Sequence, residues 1–213
     1  MSSPMAPSLL VLAVGPIVLI LVYGRLFARD RERYLGIWAL SWLTDLLALG
    51  LSVVTVVVQA WTVALVAREV LSVVSCCLLV CGLHVFLDQE TPPFCSVLAF
   101  WARQTPKLCL GTSIIGSAWL VSAGVLGLSA PFLSIPSLAL QAVVYIWAGI
   151  IVLRSPRTQD LGMRLTGGVL ITWGIYKAGY SSLQSMMWLA TWADLLASCF
   201  RFVVAIGMLL IYF

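Results

Sequence analysis

Six ionisable residues stand in apolar surroundings in this 213-residue chain: Asp45, Arg68, Glu69, Lys177, Asp194 and Arg201. Three are acids and three are bases, so as a set they can neutralise one another. Inside a membrane such groups are costly and are usually functional or paired. Their neighbours recur at helical spacing. Trp38, Trp42, Asp45 and Ser52 follow i, i+4, i+7, i+14, and Glu69, Ser72 and Cys76 follow i, i+3, i+7. Trp173, Lys177, Tyr180 and Gln184 make a third stripe, and Asp194, Ser198 and Arg201 a fourth. Residues at these spacings share one helix face, and a polar face on an apolar helix turns towards the interior of a bundle. The expected result is a polar, aromatic-lined cavity open to the outer leaflet or the outside water. Its ligand-binding residues would be Trp42, Asp45, Arg68, Glu69, Trp173, Lys177, Tyr180, Asp194 and Arg201. The same residues also suit plain interhelical glue at about 1 kcal/mol per contact. At this stage both readings stand.

Other chemistry is weaker. Cys77, Cys81 and His84 lie at i, i+4, i+7, a spacing that suits a soft metal or a haem. Cysteine is also an ordinary small apolar residue of helices, and no second ligand cluster accompanies these three, so neither a metal nor a cofactor is expected. Cys76, Cys77, Cys81, Cys95, Cys109 and Cys199 fall in spans or in loops on the cytoplasmic side, which argues against a disulfide framework. There is no His-Glu zinc helix, Gly-x-Ser-x-Gly elbow or phosphate-cradling glycine loop. The single histidine limits acid–base work. An enzyme is the least supported class, and the last span holds no lysine for a retinal Schiff base.

The elements that must position these residues follow from composition. Hydrophobic residues make up 62% of the chain and charged ones 9%, with mean hydropathy +1.08. A soluble domain carries roughly 25% charged residues, so a soluble enzyme, a nucleic-acid-binding domain and a disordered chain are excluded, and no nucleic-acid partner is expected. The apolar runs are long and continuous, which excludes a β-barrel. As one helix, residues 34–86 would measure roughly 80 Å, too long for one bilayer, so the chain must fold back near Gln59, Trp61 and Thr62. The expected fold is an all-α membrane protein: a single seven-transmembrane-helix bundle spanning 1–213. Its spans lie near 8–27, 34–58, 62–87, 108–129, 137–153, 161–180 and 190–213. Pro131 and Pro136 fall in an expected loop at 129–136, leaving Pro16 as the one proline inside a span. Arg25, Arg29, Arg31 and Arg33, then Arg103 and Lys107, then Arg154, Arg157 and Arg164 all gather on one side. By the positive-inside rule the N-terminus is outside and the C-terminus cytoplasmic.

Three stretches carry a resemblance. Tyr34-Leu35-Gly36-Ile37-Trp38-Ala39-Leu40-Ser41-Trp42 resembles the start of span two in the seven-helix sensor modules of bacterial histidine kinases and cyclic-di-GMP cyclases, which often precede a PAS domain. Trp173-Gly174-Ile175-Tyr176-Lys177-Ala178-Gly179-Tyr180 and Ala205-Ile206-Gly207-Met208-Leu209-Leu210-Ile211-Tyr212-Phe213 are similar to the same family. The resemblance implies a non-catalytic, multi-pass sensory module of the bacterial inner membrane, working as a homodimer. It would bind an unknown small ligand or ion and signal through its seventh helix to a cytoplasmic output domain beyond Phe213. The pattern departs in two places: an acid near Gly179 and a proline after Tyr180 are missing. The alternative is a small seven-helix transporter or channel. Such proteins commonly show internal repeats and helices broken by Gly or Pro near the midplane, features not evident in this sequence.

Overall fold

The computed structural model describes residues 5–58, 61–90, 107, 111, 114–127, 130–155, 160–184 and 187–213. Among the described residues there are helices and no strands. They are α1 (Met5–Asp30), α2 (Arg33–Val58), α3 (Trp61–Glu90), α4 (Ile114–Val125), α5 (Ala130–Leu153), α6 (Leu161–Gln184) and α7 (Met187–Tyr212). Four stretches are long and apolar enough to cross a membrane: Arg33–Ser52, Val63–Leu87, Ser134–Leu153 and Leu195–Tyr212. Large apolar side chains also face outwards at helical spacing. Val14, Ile17, Val18 and Leu21 do so on α1, Leu40, Leu43 and Leu47 on α2, and Phe202, Ile206 and Leu210 on α7. A water-facing bundle reverses this arrangement; exposed apolar stripes of this extent call for lipid or a partner.

Short turns set the topology. Between α1 and α2 the chain reverses over Arg31 and Glu32, with Arg31 at φ 58° and its N–H donating to the Phe27 carbonyl at 2.9 Å. A left-handed residue of this kind ends a helix by satisfying a carbonyl that the last turn leaves free. The C-terminal ends of α1 and α5 and the N-terminal ends of α2 and α6 lie at one end of the bundle, with Arg25, Arg29, Arg31, Arg33, Arg154 and Arg164 around them. The C-terminal ends of α2 and α6 and the N-terminal ends of α3 and α7 lie at the other. Neighbouring helices pack in the cyclic order α1, α2, α3, α5, α6, α7, and α1 meets α7 to close the ring. The α4 helix packs outside it, with Leu120 and Ala123 against Leu65, Val66 and Val70 of α3.

Two expected boundaries are corrected. The segment expected as loop 129–136 is helical from Ala130, so α5 begins well before residue 137. Pro131 falls in the first turn, where no helical partner for its missing N–H exists, and Pro136 lies inside the helix at the loss of one intrahelical hydrogen bond. At the end of α4 the helix stops earlier than the expected residue 129: Gly127 turns at φ 65° and donates to the Gly124 carbonyl at 3.2 Å.

The joints are of two kinds. Trp38 lies edge-to-face with Tyr23 and Tyr34 and against Gly82, where a Cβ would meet the indole at 2.5 Å. Ser41 and Ser75 make a reciprocal pair across α2 and α3, each hydroxyl donating to the other residue's carbonyl, at 2.8 and 2.9 Å. Between α5 and α6 the backbones themselves approach: a Cβ on Gly149 would lie 2.6 Å from the Gly167 carbonyl oxygen. Small residues allow such close crossings in membranes, where packing rather than water drives helix association. Tyr145 and Trp173 stack beside them at 4.4 Å. Between α1 and α7, the buried Tyr23 hydroxyl donates to the Ala205 carbonyl at 2.9 Å.

Candidate functional site

The ring encloses a polar cavity of about 220 Å³ in the half of the bundle nearer the N-terminal ends of α3, α5 and α7. Five helices build its wall. From α2 come Asp45 and Ser52, from α3 Arg68, Glu69 and Ser72, from α5 Ser134 and Gln141, from α6 Lys177 and Tyr180, and from α7 Arg201. Apolar packing on the outer flanks of these helices turns their polar stripes inwards.

Each carboxylate has a partner. Glu69, 6% exposed, accepts a hydrogen bond from Arg68 Nη2 and another from Ser137 Oγ at 2.6 Å. Asp45 pairs with Arg201 across the ring: Nη2 donates to Oδ1 at 3.3 Å, and Nε sits 3.1 Å from Oδ2. That second contact is Coulombic, because Nε and Oδ2 are both buried and out of line for a hydrogen bond. On α5, Gln141 accepts from Ser72 Oγ at 3.4 Å through Oε1, while its buried Nε2 has no partner. Lys177 Nζ lies over the Tyr180 ring, 5.9 Å from its centroid.

Of the residues singled out from sequence, the structure brings Asp45, Arg68, Glu69, Lys177, Tyr180 and Arg201 to one cavity. Trp42 and Trp173 are not on its wall. They are 2% and 3% exposed in the apolar core, and Trp173 spends its face on Tyr145; their place in the ligand-binding set is corrected accordingly. The Asp194 side chain lies outside the described residues, although its backbone belongs to α7. Cys76, Cys77, Cys81 and Cys199 take part in no disulfide among the described residues, and Cys95 and Cys109 lie outside the described residues. Among the described residues no group of three or more His, Cys, Asp or Glu side chains is placed to hold a metal.

Sequence reasoning expected a fifth span at 137–153 but missed the polar stripe of α5. Ser134, Ser137 and Gln141 stand at i, i+3, i+7, the same signal that marked the other helices. The prolines disguised it, because reading 129–136 as a loop cut the stripe in two.

Chemically the site gathers charged groups. Among the described residues two acidic and three basic side chains line it, a half-enclosed space where charges interact more strongly than in water. Comparison with protein-family models, with curated proteins and with solved structures finds no match to this chain.

Proposed function

We propose that this chain is a sensory module whose seven helices all cross a bacterial inner membrane, N-terminus outside and C-terminus in the cytoplasm. In this reading it holds a small ligand or ion in the cavity and relays the event through α7 to a cytoplasmic kinase or cyclase output domain, as a homodimer. The observation that carries the proposal is the Asp45–Arg201 pair. It ties α7 to α2 inside the cavity, so a ligand that competes for Arg201 changes which position of α7 is lowest in free energy. The arginines at the opposite end support the orientation, and the resemblance of 34–42, 173–180 and 205–213 to seven-helix sensor modules supports the role. A cavity below the roughly 300–1,000 Å³ of drug-sized pockets favours a small ligand.

The test breaks the pair without a ligand. Spin labels at positions 31 and 213, on the full chain in nanodiscs, report the distance between the α1–α2 turn and the end of α7. Asp45→Asn is expected to shift that distribution; an unchanged distribution in a variant that stays folded overturns the relay.

A second reading, a small-solute transporter, is favoured by where two internal prolines fall. Pro16 on α1 borders Arg201 in a small side pocket, and Pro136 on α5 immediately precedes Ser137, the donor to Glu69. Prolines that interrupt helices beside a charged site are a transporter feature. Uptake of labelled small solutes into proteoliposomes decides for that reading; binding without uptake decides for the sensor.

A further inference from the structure

We infer that the cavity is a site for a small monovalent anion, held between Lys177 of α6 and Gln141 of α5. This names the ligand class of the proposed sensory site and rests on that reading for its purpose.

The argument is one of matching groups. Glu69 is taken up by Arg68 and Ser137, and Asp45 by Arg201. Among the described residues Lys177 is left over: no carboxylate lies at ion-pairing distance from it, and its ammonium lies over the Tyr180 ring at 5.9 Å. Arg201, Glu69 and Asp45 line the same space. The second, independent observation is Gln141. It is 1% exposed, its Oε1 is engaged by Ser72, its Nε2 donor is buried without a partner, and the residue lines the cavity together with Lys177. Buried amide donors in folded proteins are almost always satisfied, and a bound acceptor of negative charge would complete an orphan donor in a cavity that also holds a lysine. Counted over the described residues the lining has one more basic than acidic side chain, which suits a monoanion: a dianion would leave it negative, and a cation would add to the surplus. Charge-assisted hydrogen bonds from lysine and amide donors supply the recognition.

The test uses the full chain in nanodiscs. Its unfolding midpoint is followed as formate, nitrate or chloride replaces gluconate at constant ionic strength, gluconate being the bulky reference anion. A bound ligand raises the midpoint saturably. The expected result is such a rise with at least one of the three small anions. Lys177→Met is expected to weaken the dissociation constant about tenfold or more, and Gln141→Leu several-fold, while Lys177→Arg retains binding. Gln141→Leu keeps the test open if Lys177→Met fails to fold.

The inference is overturned if no small anion shifts the midpoint, or if both substitutions leave the titration as in the native chain. It is also overturned if exchanging sodium for potassium, rather than exchanging the anion, produces the effect. A response that appears only in Asp194→Asn overturns it too, since Asp194 would then be Lys177's own counter-charge. The 31–213 distance separates the two proposals. Saturable anion binding with an unmoved α7 leaves the site and removes the relay; an α7 shift in Asp45→Asn with no anion response does the reverse.

Discussion

Asp45 and Arg201 are only 12% and 19% exposed as side chains, so neither has bulk water to fall back on. Removing one partner of such a pair leaves the other buried and unmatched, at about 3 kcal/mol, whereas neutralising both removes the problem together with the attraction. A double-mutant cycle is therefore informative. Asp45→Asn and Arg201→Gln are each expected to lower stability in detergent unfolding. The double variant should be more stable than the sum of the singles implies, with a coupling of about 1–3 kcal/mol; additive losses would mean that the pair contributes nothing. Glu69 differs in kind. Its partner Arg68 is the preceding residue on the same helix, so their contact positions a charge without joining two elements. Ser137 on α5 is what ties Glu69 to a second helix.

At the scale of elements, the contrast between neighbouring glycines tests how α5 and α6 meet. A methyl group on Gly149 would strike the Gly167 carbonyl oxygen at 2.6 Å, while one on Gly168 would find nothing within 4 Å. Backbone cannot move aside as a flexible side chain does. Gly149→Ala is expected to cost about 1–3 kcal/mol through overpacking. Gly168→Ala should be neutral or stabilising by up to about 1 kcal/mol from helix propensity. Unfolding of the two variants side by side checks the crossing: equal effects would place the close contact elsewhere.

Across the whole molecule, the ring is closed where its first helix meets its last. Besides Tyr23 and Ala205, the contact includes a cluster at the arginine end, where Tyr212 donates to Asp30 and Arg29 Nη2 donates to the Tyr212 hydroxyl at 2.8 Å. The Arg29 guanidinium, and after it the Tyr212 hydroxyl, hold the Asp30 carboxyl below the usual carboxylate range. A carboxyl lowered on folding contributes stability above its unfolded pKa and loses it as the pH falls through the folded value. The α1–α7 contact at this end is thus expected to be intact at neutral pH and released in acid. Tyr212→Phe, which removes the α7 hydroxyl through which this cluster joins the two helices, should give at neutral pH the distance the native chain reaches only in acid, with no further response to pH. Labels at 31 and 213 read it; an end-to-end distance unchanged down to strongly acid pH would show that this cluster does not help close the ring.

The sequence by itself determined that the chain is helical and apolar beyond what a water-facing surface allows, which helices carry the charges, and which face of each they occupy. Composition and period are local properties, and the wall residues that spacing recovered, Asp45, Ser52, Glu69, Ser72, Lys177, Tyr180 and Arg201, show how far they reach. Boundaries at prolines were not legible, because the effect of Pro131 and Pro136 depends on whether the helix around them has packing to gain. Nor could spacing distinguish the fate of two tryptophans on polar stripes: Trp42 and Trp173 share a face with Asp45 and Lys177 yet lie buried in the core. Only the tertiary structure decided the partners, Arg201 with Asp45 and Ser137 with Glu69, and left Gln141 with an unsatisfied donor. Pairing is a property of which helices stand next to one another, and that order comes from whole-face packing that no single helix encodes.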